Sequence, residues 1–135
     1  MYCFDTDVLS SVLRKAPRLD IVRRLALVPA EAQFTTAINI GELLYGASRK
    51  GSPVLVERVR DVVQRAVVVL PFDEAAAEIY GPLRASLEKR GKRLDEADLR
   101  IASISLAHKL TLVTGNIRHF DRVPKLRVEN WLAEP

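Results

Sequence analysis

The sequence contains one cysteine, two histidines, one tryptophan and one methionine in 135 residues, and aromatic residues make up 6% of it. A lone Cys3 cannot close an internal disulfide, and one thiol with two imidazoles cannot complete a four-ligand zinc site. Cys3 is therefore expected to be a buried strand residue. Long apolar runs are missing as well. The longest uncharged stretch, Ala32 to Gly41, falls far short of the roughly 20 residues a membrane helix needs, and Asp5 and Asp7 interrupt any signal-like segment. No GxSxG is present, and the segment from Gly46 to Ser52 follows a helical pattern and lacks the Walker lysine, so serine-hydrolase and P-loop chemistry are excluded. The expected compartment is the cytosol.

What the chain does have is a globular composition: 48% hydrophobic and 28% charged residues, in a length that suits one domain over residues 1–135. Lys and Arg outnumber Asp and Glu by 21 to 17, a net charge of +4 that favours a polyanionic partner.

Short apolar runs at Tyr2 to Phe4, Ala32 to Phe34, Val67 to Leu70 and Leu112 to Val113 alternate with longer helical patterns; the fourth is expected as a strand over Leu112 to Thr114, and a last short strand over Leu126 to Val128. This order predicts an α/β fold with a largely parallel central sheet. From Ile40, the residues Leu43, Leu44 and Ala47 form one helical face, with Glu42 about a quarter turn away. Helices are also expected over Pro53 to Arg65 and Asp73 to Arg90, the latter stopped by Gly91. Asp95 reads as the N-cap of a helix that runs to about Lys109 and is apolar nearly all round, hence central. Trp131 is expected to be a packing anchor.

Asp5 follows the first strand, Glu42 lies in the second turn after the second strand, and Asp98 lies in the first turn of the helix feeding the fourth. In right-handed βαβ units, strand C-termini and the N-termini of the helices that follow share one edge of the sheet, so three acids distant in sequence are expected to meet there. Clustered carboxylates repel one another and persist most readily around a cation; Mg²⁺, with Mn²⁺ as the alternative, takes such oxygen ligands in phosphate chemistry. Bland roles compete at each position. Asp5, Thr6 and Asp7 can each cap a helix, a lone Glu42 is most often a solvated helix residue, and Asp95 with Asp98 has the i, i+3 spacing of a capping pair. Asp95 is assigned that capping role and Asp98 the ligand role. The basic stretch Arg84, Lys89, Arg90, Lys92 and Arg93 is a solvated face in a position that suits phosphate contact.

The segments FDTDVLS (Phe4 to Ser10), INIGELLYGA (Ile38 to Ala47), DLRIASISLAHKLTLVTGN (Asp98 to Asn116) and HFDRVPKLRVENW (His119 to Trp131) occur in the order found in the PIN-domain family, and the chain resembles its VapC-type toxins over nearly its whole length. The resemblance implies a three-layer α/β/α sandwich and a divalent-metal-dependent endoribonuclease that hydrolyses RNA with metal-activated water. Its first three acidic positions map onto Asp5, Glu42 and Asp98, and Thr6, Thr114 and Asn116 are supporting residues. It further implies a small cognate antitoxin and a homodimer. Two positions depart from the pattern. Asp7 stands where many relatives have Asn, and His119 stands before Phe120 where the family often has an acid. His119, Asp121 and Asp95 are accessory candidates, Asp121 replacing the missing acid only if its turn directs it inward. The departure at His119 predicts a weak second metal site.

Two other readings remain. Asp5-Thr6-Asp7 looks like the nucleophile motif of haloacid-dehalogenase-type phosphatases, with Asp5 forming an aspartyl-phosphate and Asp7 acting as acid or base. The short chain left after Thr114 has little room for that family's remaining motifs. A noncatalytic RNA- or protein-binding PIN-like module is the other reading.

Overall fold

Cys3 and Phe4 are adjacent in sequence and both fully buried, which requires a strand covered on both faces. That strand, β1 (Tyr2–Phe4), is the centre of a five-stranded, all-parallel sheet in the computed structural model, which describes residues 1–133. Residues 134 and 135 of the expected 1–135 span lie outside the described residues. The chain continues through α1 (Thr6–Leu13), α2 (Leu19–Ala26), β2 (Gln33–Thr36), α3 (Ala37–Arg49), α4 (Pro53–Arg65) and β3 (Val68–Leu70). It then forms α5 (Glu74–Lys89), α6 (Glu96–Ala107), β4 (Thr111–Val113), α7 (Ile117–Phe120) and β5 (Val128–Glu129).

The strand order is β3-β2-β1-β4-β5. Cys3 pairs with Phe34 of β2 on one side and with Leu112 of β4 on the other. The side-chain alternation of the strands sorts the core into two layers. Cys3 and Leu112 pack with Ile101, Ala102 and Ile104 of α6 and with Phe120 of α7. Phe4 and Val113 face the opposite way, onto Val8, Leu9, Ile21, Leu43 and Val59 from α1 to α4. Helices thus cover both faces, and the α/β/α sandwich expected from the sequence is present.

α6 is the central helix that its all-round apolar pattern implied, with Leu99 and Ile101 to Ser105 buried. Its two buried serines donate back to the carbonyls four residues earlier, Ser103 to Leu99 and Ser105 to Ile101, so neither hydroxyl is left unpaired. Trp131 is the expected anchor. Its indole meets the rings of Tyr2 and Phe4 edge-on at 5.2 and 5.4 Å, and the Arg24 guanidinium lies 4.2 Å above it.

Strand boundaries move: the third strand starts one residue later than expected, at Val68, the fourth is Thr111–Val113 and not Leu112 to Thr114, and the second and last shift further. The second strand is Gln33–Thr36, not Ala32 to Phe34, because residues 30–32 form a short 3₁₀ turn and two threonines extend the strand at the other end. Apolar content misled here: Thr35 and Thr36 are β-branched and fully buried, and each hydroxyl has a partner inside, Thr35 on the Phe4 carbonyl and Thr36 on Asn39. The last strand is Val128–Glu129, in register with Leu112 and Val113, later than the expected Leu126 to Val128. Leu126 packs against the core from outside the strand.

Candidate active site at the switch point of the sheet

Strand β1 is where the order of the sheet reverses. Crossovers to β2 and β3 run on one side of it, and the return to β4 runs on the other. Helices leaving β1 and entering β4 therefore diverge to opposite faces and open a crevice beyond the strand ends, the usual ligand position in such sheets. Asp5 is the first residue past β1, and its amide donates to the Val113 carbonyl at 2.9 Å.

The Asp5 carboxylate is 5% exposed and receives three hydrogen bonds. Oδ1 accepts from the Thr6 amide at 2.9 Å and from Asn39 Nδ2 at 2.8 Å, and Oδ2 accepts from the Thr114 hydroxyl at 2.7 Å. The capping role considered for Asp5 is thus real, since it is the N-cap of α1, but it accounts for only one of the three bonds. An ionised carboxylate has about four lone-pair sites, so an acceptor site remains after these three are filled.

Asn39 is fully buried, and sequence reasoning missed it. Thr36 caps α3 by accepting from the Asn39 amide at 3.2 Å, and the Thr36 hydroxyl donates to Asn39 Oδ1 at 2.7 Å. With its oxygen fixed, the Asn39 amide nitrogen reaches both Asp5 and, at 3.0 Å, the Thr6 hydroxyl. Thr6 in turn donates to Glu42 Oε1 at 2.7 Å. Glu42 is exposed, one helical turn beyond Asn39 on the same side of α3, and this chain of bonds aims it toward Asp5. A Thr-x-x-Asn-x-x-Glu spacing at a strand-to-helix junction was the available signal.

Asp98 enters from the other side. Asp95 is the N-cap of α6, as expected, and accepts from the Asp98 amide at 2.8 Å. The Asp98 carboxylate faces His119 of α7, with Nδ1 3.5 Å from Oδ2. Its pKa is pushed up from 3.8 to about 6, first by burial, then by the charges of Asp95 and Asp5 and, more weakly, Glu42, with His119 acting in the opposite direction. Asp5 and Glu42 therefore lie within electrostatic reach of Asp98. Among the described residues, no three His, Cys, Asp or Glu side chains are gathered tightly enough to hold an ion as they stand. In kind, the donors suit a hard cation: they are carboxylate oxygens, and the burial and mutual repulsion that raise Asp98 are what a cation relieves.

The remaining candidates divide. Thr114 is buried and positions Asp5, while Asn116 contributes its backbone amide, 3.0 Å from the Thr114 hydroxyl, and its own side chain does not cap α7. Asp121 is exposed and lines a separate hollow with Lys92, Arg118 and Arg122, so the inward turn it needed to replace the missing acid does not occur. Asp7 takes an unforeseen place: its Oδ2 accepts from the Gly115 amide at 2.8 Å, while Oδ1 is buried without a partner. Burial, and then the charge of Asp5, raise the Asp7 pKa. A Cβ on Gly115 would lie 2.7 Å from Asp7 Oδ2 and 3.2 Å from Leu132 Cδ1, so a larger residue there has to push the Asp7 carboxylate out of its contact with the turn after β4. In the basic stretch of α5, Arg84 is engaged with Glu88 and Glu96 at 3.0 and 3.4 Å, which reduces the charge free for phosphate.

The PIN domain family matches residues 2–126. Ribonuclease VapC2 of Haemophilus influenzae is 33% identical over 132 residues, covering 97% of this chain and 98% of the relative. The tRNA(fMet)-specific endonuclease VapC of Shigella flexneri is 34% identical, covering 96% and 97%. Among solved structures, VapBC2 from Rickettsia felis bound to a promoter DNA fragment superposes with a TM-score of 0.85 at 30% identity, covering 96% of this chain and 98% of that one. With the parallel sheet, the switch-point crevice and these full-length matches, the chain belongs to the PIN-domain family and, within it, to the VapC type.

Proposed function

We propose that this protein is a divalent-metal-dependent endoribonuclease and the toxin of a toxin–antitoxin pair, with its site at Asp5, Glu42 and Asp98. The observation that carries the reading is the buried Asp5 carboxylate, held by three donors at the switch point of the sheet and facing two further acids. The names of the relatives, ribonuclease and tRNA endonuclease, support RNA as the substrate.

Asp5 and Asp98 are assigned as direct ligands of Mg²⁺ or Mn²⁺, and Glu42 as a ligand directly or through water. Such an ion supplies positive charge that makes water nucleophilic near neutral pH and steadies the charge building on the phosphate. Asn39 and Thr114 fix the rotamer of Asp5, and Thr6 turns Glu42 toward it. Burial and the neighbouring acids raise the Asp98 pKa from 3.8 to about 6, so a cation bound there would displace its proton. His119 holds Asp98 in place of the acid found in many relatives. The phosphatase reading loses support because the PIN domain model and the VapC ribonuclease relatives match the chain over nearly its whole length.

The proposed partner is a small antitoxin whose Arg or Lys neutralises the three acids in place of the cation, guanidinium being suited to bidentate carboxylate contact. The VapBC relatives among solved structures support a partner of this kind. A homodimer is part of the proposal, and a monomeric mass in light scattering across the micromolar range would remove it. The deciding experiment compares cellular RNA ends after controlled expression of the wild type and of Asp5→Asn. New ends that depend on Asp5 are expected; identical ends from both folded proteins would reject the nuclease.

A further inference from the structure

Beyond Glu42, the surface does not close over. A cavity of about 150 Å³ has Thr6 and Glu42 at one end, and Lys50 and Leu55 among its other lining residues. Lys50 and Leu55 also line a second hollow of about 430 Å³, whose other side chains include Arg14, Lys15 and Arg58. Four cations, from the C-cap of α1, the residue after it, the C-cap of α3 and the middle of α4, thus line one hollow, which shares Lys50 and Leu55 with the cavity that reaches Thr6 and Glu42. From Glu42 to Lys50 is eight residues of α3 and its C-cap, a path of about 12 Å at the helical rise per residue.

These cations differ from Arg84 of α5. Arg84 is held by Glu88 and Glu96, whereas Lys15 and Lys50 are exposed and have no ion-pair partner among the described residues. Arg14 and Arg58 use one nitrogen each on a backbone carbonyl, Ala16 at 3.0 Å and Leu13 at 3.0 Å, which orients them and leaves other N–H groups open. Asp61, which lines an adjoining hollow with Arg14, Lys15 and Arg58, comes within salt-bridge distance of none of them.

We infer that this basic hollow is a phosphate subsite for single-stranded RNA, gripping the backbone away from the scissile phosphate and leading it along α3 into the acidic crevice. The inference rests on the nuclease reading above. An acidic crevice repels the polyanion it must cut, so binding strength has to come from cations placed outside the ligand shell, and this hollow adjoins the cavity that carries Glu42. No base-reading geometry is implied: lysine and arginine on a backbone hold any sequence.

The test is Lys15→Gln/Lys50→Gln, two exposed substitutions that leave the core and the acidic residues untouched. Cleavage of a single-stranded RNA oligonucleotide by wild type and variant is followed at several salt concentrations, and binding of the same RNA is measured in the Asp5→Asn background. The expected result is a raised KM with kcat preserved, and a plot of log affinity against log salt shallower by roughly 1.4, since each single-strand phosphate no longer neutralised lowers the slope by about 0.7. Unchanged KM and salt slope in a variant made from a cleaving wild type would overturn the subsite alone. So would an unchanged RNA response accompanied by weaker binding of an acidic antitoxin peptide, which would make the hollow a protein-docking site. Absence of cleavage by the wild type together with salt-insensitive RNA binding would overturn both readings.

Discussion

Asp5 and Asp98 carry the same functional group and face the same crevice, yet Asp5 accepts three hydrogen bonds, whereas among the described residues the Asp98 carboxylate meets only His119, at 3.5 Å. Both are largely withdrawn from water, with Asp5 5% exposed and the Asp98 side chain 16%. Donors offset the cost of burial at Asp5, so its position is set when β1, β2 and β4 pair. At Asp98 no such donors are present among the described residues, and burial, then the charges of Asp95 and Asp5, raise its pKa above the ordinary 3.8. One side of the site is therefore built by folding, and in the proposed mechanism the other is completed by a cation.

The comparison breaks most completely when either carboxylate loses its charge. Asp5→Asn and Asp98→Asn each remove a ligand with little change of shape, and both are expected to abolish RNA cleavage while circular dichroism stays that of the wild type. Their stabilities should diverge. Asp5→Asn turns one acceptor into a donor among three donors and loses stability; Asp98→Asn removes a strained charge and gains it at neutral pH. Parallel thermal shifts in the metal-free proteins would erase the distinction.

Next in size is Asn39→Leu, which removes the donor shared by Asp5 and Thr6 and leaves the Thr36 hydroxyl without its acceptor. A buried group left unpaired costs roughly 1–3 kcal/mol, and loss of a residue orienting a metal ligand costs roughly 10–100-fold in affinity or activity. Denaturant unfolding and Mn²⁺ titration measure the two effects separately. No residue around Asp98 should matter as much.

A smaller effect appears in the pH dependence of the metal-free protein. The folded-state pKa of Asp98, about 6, lies above its ordinary value of 3.8, so the folded chain binds that proton more tightly than the unfolded chain does. This contribution to stability is complete below about pH 4 and is lost as pH rises to about 6. Asp7 is raised in the same direction, so the quantity to follow is the difference between wild type and Asp98→Asn, which should widen over that window and shrink again when Mg²⁺ is added. A difference independent of pH would place Asp98 outside the shared field.

The smallest change is expected at His119. His119→Asp places a carboxylate beside Asp98 and should tighten Mg²⁺ or Mn²⁺ binding several-fold, since hard cations prefer oxygen to imidazole. Calorimetry that returns the wild-type affinity and stoichiometry would leave His119 as no more than a partner of Asp98.

The same division appears in what the sequence made legible. Asp5, Glu42 and Asp98 could be placed at one edge from strand order alone, because parallel βαβ topology fixes where strand ends and helix starts gather. Asn39 has only the weak signal of its Thr36-x-x-Asn39-x-x-Glu42 spacing, and its role emerges when the Thr36 cap and the β1 end are seen together. The Asp7 contact with Gly115 joins residues 108 positions apart, and no periodicity encodes it. Strand limits slipped where threonines took core positions, because there the burial depends on hydrogen bonds available only in the folded sheet.

The most direct measurement is anomalous diffraction from a crystal of the antitoxin-free protein equilibrated with Mn²⁺. The account predicts a peak within coordination distance of both Asp5 and Asp98, with Glu42 bound to it directly or through one water, and the Asp5 contacts to Asn39 and Thr114 unchanged. A peak that engages neither Asp5 nor Asp98, or none at saturating Mn²⁺, would contradict it.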